Sequence, residues 1–266
     1  MRSSQVVAES PHYVIQRVVC VDDHAGWSAP ELTRAPQIVL VRRGCFRLDS
    51  RGRRVLADPT TGYLHGPGEE KRFSHSAGGD VCTAITFSGG ELVSGLWPES
   101  PRPSPALRVD ARLELAHRLL LRTAPDPERA AEAVLDLLAL ALRGGPDATP
   151  GPGRGALAER AREAILADAP QSGDLVSLAR LLDASPSHLS RTFRHHTGTP
   201  LSRYRNRVRV SRALSRIEDG ETDLAGLALD LGFSDQPHFT RVMREELGHT
   251  PSRVRALLTA GARPRP

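Results

Sequence analysis

The chain has 266 residues and 39% hydrophobic content, enough for two modest domains with cores of their own. Its net charge is +5 and its cations are nearly all arginine, Lys71 being the only lysine. Arginine forks well onto guanine edges and phosphates, but codon usage gives the same bias, and basicity alone names no partner. Cys20, Cys45 and Cys82, an odd number without paired spacing, argue against a disulfide framework. No basic start leads into an apolar core, and no apolar run reaches the length of a membrane span, so the expectation is a cytoplasmic protein with no membrane partner.

In chain order, residues 12–90 read as short strands separated by turns. Tyr13–Val21, Gln37–Arg43, Cys45–Asp49, Arg53–Ala57 and Val81–Phe87 are alternating or rich in β-branched residues. Between them stand turn formers: Ser50-Arg51-Gly52, Asp58-Pro59-Thr60-Thr61-Gly62, His65-Gly66-Pro67-Gly68 and Gly78-Gly79. Many short strands with regular turns predict a small barrel or jelly roll.

Residues 98–108 form a proline-rich connector. Helices are predicted at about 109–123 and 127–143. In the first, Leu113, Ala116, Leu119 and Leu120 share a face. The second starts at Pro127, stops at Gly144-Gly145 and is apolar nearly all round, so it must be buried, either in its own domain or in a dimer seam. Gly144–Gly155 has the composition of a flexible linker. The domains expected are therefore 1–143, a linker 144–155, an almost wholly helical domain 156–258 and a disordered tail 259–266.

The helical part repeats itself. His188, Arg191, Arg194 and Gly198 recur as His238, Arg241, Arg244 and Gly248 at one fixed offset. Upstream, Asp174-Leu175 and Leu178-Ala179 recur as Asp223-Leu224 and Leu227-Ala228 at an offset one residue shorter. Each copy reads as a short helix, a tight turn and a second helix. Asp174 is a plausible N-cap for Leu175–Leu182, as are Ser185 for Pro186–Thr197 and Asp223 for Leu224–Leu231. Gly198 and Gly248 are natural C-caps. Gly232 fills a turn position suited to positive φ, where the first copy has the less tolerant Asp183. Leu189, Phe193, Phe239 and Met243 face inward.

Ser187, Ser190, Arg191 and Arg194 on the first reading helix are left to project outward. So are Gln236, His238, Thr240, Arg241 and Arg244 on the second, Gln236–Leu247. These nine are the candidate DNA-binding residues, because a helix pair of this kind places such side chains in a major groove. The copies are joined by Leu201–Ile217, whose apolar face is Val210, Ala213, Leu214 and Ile217. As a helix it is roughly 25 Å long, which suits two readers set about one DNA turn, roughly 34 Å, apart. Its arginines, Arg203, Arg205, Arg207, Arg209, Arg212 and Arg216, are expected at phosphates or in solvent, like Arg194 and Arg244, with Arg209 rather an internal salt-bridge partner. His195 and His196 are expected to be merely exposed.

These residues resemble the AraC/XylS family of bacterial transcription regulators. The resemblance is carried by Leu227-Ala228-Leu229-Asp230-Leu231-Gly232-Phe233-Ser234-Asp235-Gln236-Pro237-His238-Phe239-Thr240-Arg241. Gly248-His249-Thr250-Pro251 and Tyr204, Arg209 and Ala213 add to it, and together they span about 100 residues. It implies seven helices, with Ser187, Ser190 and Arg191 in the first reader and Gln236, His238 and Arg241 in the second at base-facing positions. Met243 departs from a usual phenylalanine, and Glu245-Glu246 from commonly basic positions, which weakens the grip expected of the second reader. The resemblance further implies a cupin-like N-terminal barrel that binds an effector, with RNA polymerase as a partner.

The fold class expected is thus α+β multidomain: a cupin-like β-barrel with helices, then an all-α double helix-turn-helix domain. The function expected is a sequence-specific DNA-binding regulator, a homodimer on duplex DNA, controlled by a small organic effector and not an enzyme. Two alternatives stand beside it. A cupin metalloenzyme is disfavoured because Glu69-Glu70-Lys71-Arg72-Phe73 follows Pro67-Gly68 where a histidine site is usual, and His65 and His75 are not spaced as a pair. Hence no metal and no cofactor is expected. A cysteine-based redox or metal-responsive regulator is the other, since Arg43 and Arg47 alternate with Cys45 and would lower its pKa; the bland reading makes all three cysteines packing residues.

Overall fold

A computed structural model describes residues 2–21, 26–75, 78–88, 104–143 and 155–259. The expected linker, apart from Gly155, the tail beyond Thr259 and the start of the proline-rich connector lie outside the described residues. The chain divides into two compact units.

The first unit is a double antiparallel sheet. Its strands are β1 (Arg2–Glu9), β2 (Tyr13–Cys20), β3 (Glu31–Leu32), β4 (Gln37–Arg43), β5 (Phe46–Ser50), β6 (Arg53–Ala57), β7 (Thr61–His65), β8 (Glu70–His75), β9 (Asp80–Phe87) and β10 (Ala106–Arg108). One sheet runs β1-β2-β9-β4-β7-β10 and the other β3-β8-β5-β6. Val39, Phe46, Leu48, Tyr63, Phe73 and Ala84 are buried together in one core cluster with residues from both sheets. This is the small barrel or jelly roll that the turn-punctuated pattern predicts. β5 keeps the strict alternation of a half-buried strand, whereas Ile38–Val41 of β4 are all buried, as a strand covered on both faces requires.

Five of the ten strands among the described residues follow their predicted positions closely. β7 and β8 do not, because Thr61-Gly62 reads as turn and Glu70-Lys71-Arg72 is a charged run without a strand pattern. Both are held by their neighbours, β7 by β4 and β10, β8 by β5 and β3; pairing in the sheet overrides local preference. Helix α2 (Pro127–Arg143) belongs to this unit. It buries one stripe, Ala130, Val134, Leu137, Leu138 and Ala141, and exposes Leu135. Burial within the chain accounts for that stripe.

The second unit is helical: α1 (Ala111–Thr123), α3 (Ala156–Leu166), a 3-10 turn (Pro170–Gly173), α4 (Leu175–Leu181), α5 (Pro186–Thr197), α6 (Leu201–Glu218), α7 (Leu224–Asp230), α8 (Gln236–Leu247) and α9 (Pro251–Thr259). The span 1–143 is therefore not one compact body: Asp110–Thr123 groups with the C-terminal helices, where α1 packs on α6, α8 and α9. Charge explains part of this. Glu114 and Arg118 of α1 are almost fully buried, and Glu114 pairs with Arg207 of α6 at 2.6 Å. Arg118 donates to Glu114 at 2.7 Å, to Glu218 at 2.6 Å and to the Ser215 hydroxyl at 3.0 Å. Burial alone would raise the Glu114 carboxyl, but Arg207 and Arg118, with a hydrogen bond from Ser211, bring it down to about 2.

Candidate nucleic-acid interface

Each copy of the repeat has its own core, and α6 serves both. Tyr204 and Val208 pack with Leu178, Leu189 and Phe193 of the first copy. Val210, Ala213, Leu214 and Ile217 pack with Leu227, Phe239 and Met243 of the second. Both reading helices are thus fixed to one rod. Phe193 and Phe239 are fully buried, and truncating such a side chain costs about 3–5 kcal/mol.

The helix ends are built as the residue types predict. Asp174 accepts from the Ser177 N–H, Ser185 from that of His188, and Asp223 from those of Ala225 and Gly226. Asp235, which the sequence reading did not single out, caps α8 by accepting from the His238 N–H at 2.6 Å. Both reading helices close on left-handed glycines, Gly198 and Gly248. The turn before each reader also takes positive φ, at Asp183 (54°) and Gly232 (78°), so the aspartate bears a strain the glycine avoids.

On α5, Ser187, Arg191 and Arg194 are exposed and Ser190 is half-buried. Their spacing puts all four on one face. On α8, Gln236, Arg241 and Arg244 are exposed and Thr240 half-buried, and these four line one shallow depression with Pro237 and Glu245. His238 stands apart from them. It is half-buried, its Nδ1 lies 3.1 Å from the Ser234 hydroxyl, and its ring packs edge-on to Phe233 at 5.4 Å. The side chain is drawn back onto the turn that starts the helix.

The arginines of α6 are engaged within the unit far more than a phosphate-binding row would be. Arg207 is buried against Glu114. Arg212 bonds Asp168 at 2.7 Å and the carbonyls of Ile165 and Leu166. Arg216 bonds Glu221 at 2.7 Å, and Arg205 the Gly173 carbonyl at 3.3 Å. Arg209 lies over the Phe233 ring at 5.6 Å, a cation–π contact rather than the expected salt bridge. Arg203 meets Glu246 at 3.4 Å, so one of the two unusual glutamates is balanced internally. His196, expected in solvent, is half-buried, and that burial lowers its pKa.

The barrel offers a second concave feature, a cavity of about 280 Å³ walled by Val39, Phe46, Tyr63 and Phe73 and reached by Cys20, His75 and Asp80. His65 does not line it. That histidine is fully buried, and burial first, then Lys71 and Arg51, lowers its pKa to about 3. Cys45 is half-buried between β4 and β5, whereas burial pushes up the thiols of Cys20 and Cys82, with Asp80 adding to both.

Two helix-turn-helix units sharing one central helix define the helical unit as a double helix-turn-helix domain of the DNA-binding class. A family model described as a helix-turn-helix domain matches residues 178–256. The arabinose operon regulatory protein of Escherichia coli K12 is 34% identical over 83 residues, covering 31% of this chain and 28% of that protein. The bifunctional transcriptional activator/DNA repair enzyme AdaA of Bacillus subtilis is 31% identical over 83 residues, or 31% of this chain and 39% of AdaA. Over this domain the chain is similar to transcription regulators of this kind. The match spans about a third of these relatives' length. Among solved structures, ToxT from Vibrio cholerae strain SCE256 with bound unsaturated fatty acid aligns over 96% of this chain and 98% of its own, at 12% identity and a TM-score of 0.39.

Proposed function

We propose that the chain is a sequence-specific, double-stranded-DNA-binding transcription regulator. Its readers are α5 and α8, set in successive segments of the major groove. The single observation that carries this is the repeated, capped helix pair on one shared rod, with Arg191 and Arg241 exposed at matching positions. Ser187, Ser190, Arg191, Gln236, Thr240 and Arg241 serve base edges, with His238 at the rim, while Arg194 and Arg244 serve the backbone. The domain is a reader and carries no catalytic role.

The barrel is the effector-binding half, and its small cavity, lined by both aromatic and polar side chains, supports a low-molecular-weight ligand. We further assign the protein to the cytoplasm, where it acts as a homodimer with RNA polymerase as its partner. β1 supports the homodimer: it is a long edge strand with largely exposed side chains, a template for a second copy. No helix among the described residues is long and apolar enough to cross a membrane.

Selection of binding sites from a random duplex library by the full chain tests the reading. Enrichment of a motif with two contacted segments about one helical turn apart supports it. Retention of all duplexes alike refutes sequence-specific recognition.

A further inference from the structure

Three donor side chains from three strands meet at one end of the barrel cavity. Cys20 is the last residue of β2, Asp80 the first of β9, and the two are partners in the strand register. His75 ends β8 in the other sheet. The Cys20 Sγ lies 3.6 Å from His75 Nε2, and His75 Nδ1 lies 2.7 Å from Asp80 Oδ2. One donor atom from each of the three lies within 4.8 Å of the others. Cys20 and Asp80 are buried and His75 half-buried.

The backbone is shaped to bring them together. Gly79 has a φ of +69°, and a Cβ there would sit 2.5 Å from the Cys20 carbonyl oxygen. Only glycine lets the turn before β9 press onto the end of β2. The rings of Phe46 and Phe73 stand 5.6 and 6.4 Å from that of His75 and give the cluster an apolar surround.

We propose that Cys20 and His75 bind a zinc-class transition-metal ion. Sγ and Nε2 are its protein ligands, Asp80 orients the imidazole from behind, and the remaining coordination positions face the cavity. A tetrahedral zinc with Zn–S of about 2.3 Å and Zn–N of about 2.0–2.1 Å separates sulfur and nitrogen by about 3.6 Å, which is the separation found here. A carboxylate on the far ring nitrogen is the usual support of a metal-bound histidine. Thiolate and imidazole donors favour this class over magnesium or calcium, which take oxygen ligands. The ion links the two sheets, since Cys20 and His75 belong to different ones. Its open side faces the space in which an effector is proposed to sit. This inference rests on the reading of the barrel as the effector-binding half and replaces the sequence-based expectation of a metal-free barrel. His-x-His spacing could not reveal it, because the donors come from three separate strands.

The test uses the reduced, chelator-treated full chain, titrated with cobalt(II) as the probe and then with zinc(II). The expected result is a thiolate-to-cobalt charge-transfer band that saturates at one equivalent and is displaced by zinc. Cys20→Ser and His75→Gln each abolish it, Cys45→Ser leaves it unchanged, and Asp80→Asn weakens binding 10–100-fold. His75→Gln keeps the test decisive if Cys20→Ser does not fold, because that side chain is partly exposed. No band in the native protein overturns the proposal. So does a band that survives Cys20→Ser, or one lost only in Cys82→Ser. An Asp80→Asn protein of unaltered affinity removes the orienting role. A thermal-shift screen of the same protein against small organic molecules separates the two readings: organic binding without cobalt binding defeats the metal site and leaves the effector-binding barrel standing.

Discussion

Arg207 of α6 and Glu114 of α1 form a buried ion pair at 2.6 Å. Glu114 also holds Arg118 and the Ser211 hydroxyl, so one carboxylate bridges two buried guanidiniums, and Glu218 brings Arg118 a second negative charge. Removing one partner of a buried pair leaves an uncompensated charge and costs about 3–5 kcal/mol. Glu114→Ala is therefore expected to destabilise the helical unit by that order, read from urea denaturation followed by far-UV circular dichroism. A change below about 1 kcal/mol would show that α1 contributes little to this core.

The same carboxylate sets an acid limit. Its pKa falls from an unfolded value of about 4.3 to about 2 in the folded unit. A carboxyl lowered on folding stabilises fully above the unfolded value, and the contribution is lost as pH falls toward the folded one. Unfolding of the helical unit is thus expected to become easier between pH about 4.3 and about 2. Glu114→Gln should lessen this component of the slope. An unchanged slope in that variant would remove Glu114 as its source.

His65 makes a separate prediction for the barrel. Neither ring nitrogen meets a hydrogen-bonding partner among the described residues, and the folded pKa is about 3. The unfolded chain takes up a proton near pH 6.5 and the folded barrel does not until about pH 3, so stability falls as pH drops through that window. His65→Phe is expected to flatten the dependence. Equal slopes for the native and substituted chains, measured by thermal melts between pH 7 and about 3.5, would defeat it.

Much of this architecture is legible in the residues. Period-two alternation marks β5, and Asp174, Ser185, Gly198, Asp223 and Gly248 mark helix ends by their chemistry. What escapes is what only three dimensions create. Glu114 and Arg118 look like a solvated i,i+4 pair until α6 covers them. The arginines of α6 look like a phosphate-binding row until Arg207, Arg212 and Arg216 find acids and carbonyls within the same unit. The Cys20, His75 and Asp80 cluster has one faint linear trace: Asp80 and Cys82 alternate on β9, so both face one way.

Arg191 and Arg207 separate reading from scaffolding. Arg191 is exposed on the outward face of α5, whereas Arg207 is buried. Arg191→Ala is expected to cost about 1–3 kcal/mol on the selected site and to relax preference at one base pair. It should leave the melting temperature unchanged. Arg207→Ala should lower the melting temperature and weaken binding only through loss of fold. Equal loss on cognate and scrambled duplex for Arg191→Ala, in mobility-shift titrations, would make it a backbone contact.

In the second reader, Arg241 is expected to matter more than His238. Arg241 shares its face with Gln236, Thr240 and Arg244, while His238 is held at Ser234 and against Phe233. To reach a base, His238 must give up both contacts; Arg241 need give up nothing of that kind. Arg241→Ala should therefore shift preference at a base about one helical turn, roughly 34 Å, from the one read by Arg191. His238→Ala should change affinity less than Arg241→Ala and leave preference in place. Parallel site selections with the two variants decide between them. If His238→Ala alone alters the selected motif, the imidazole leaves the turn on binding and the exposed arginine face is a backbone clamp.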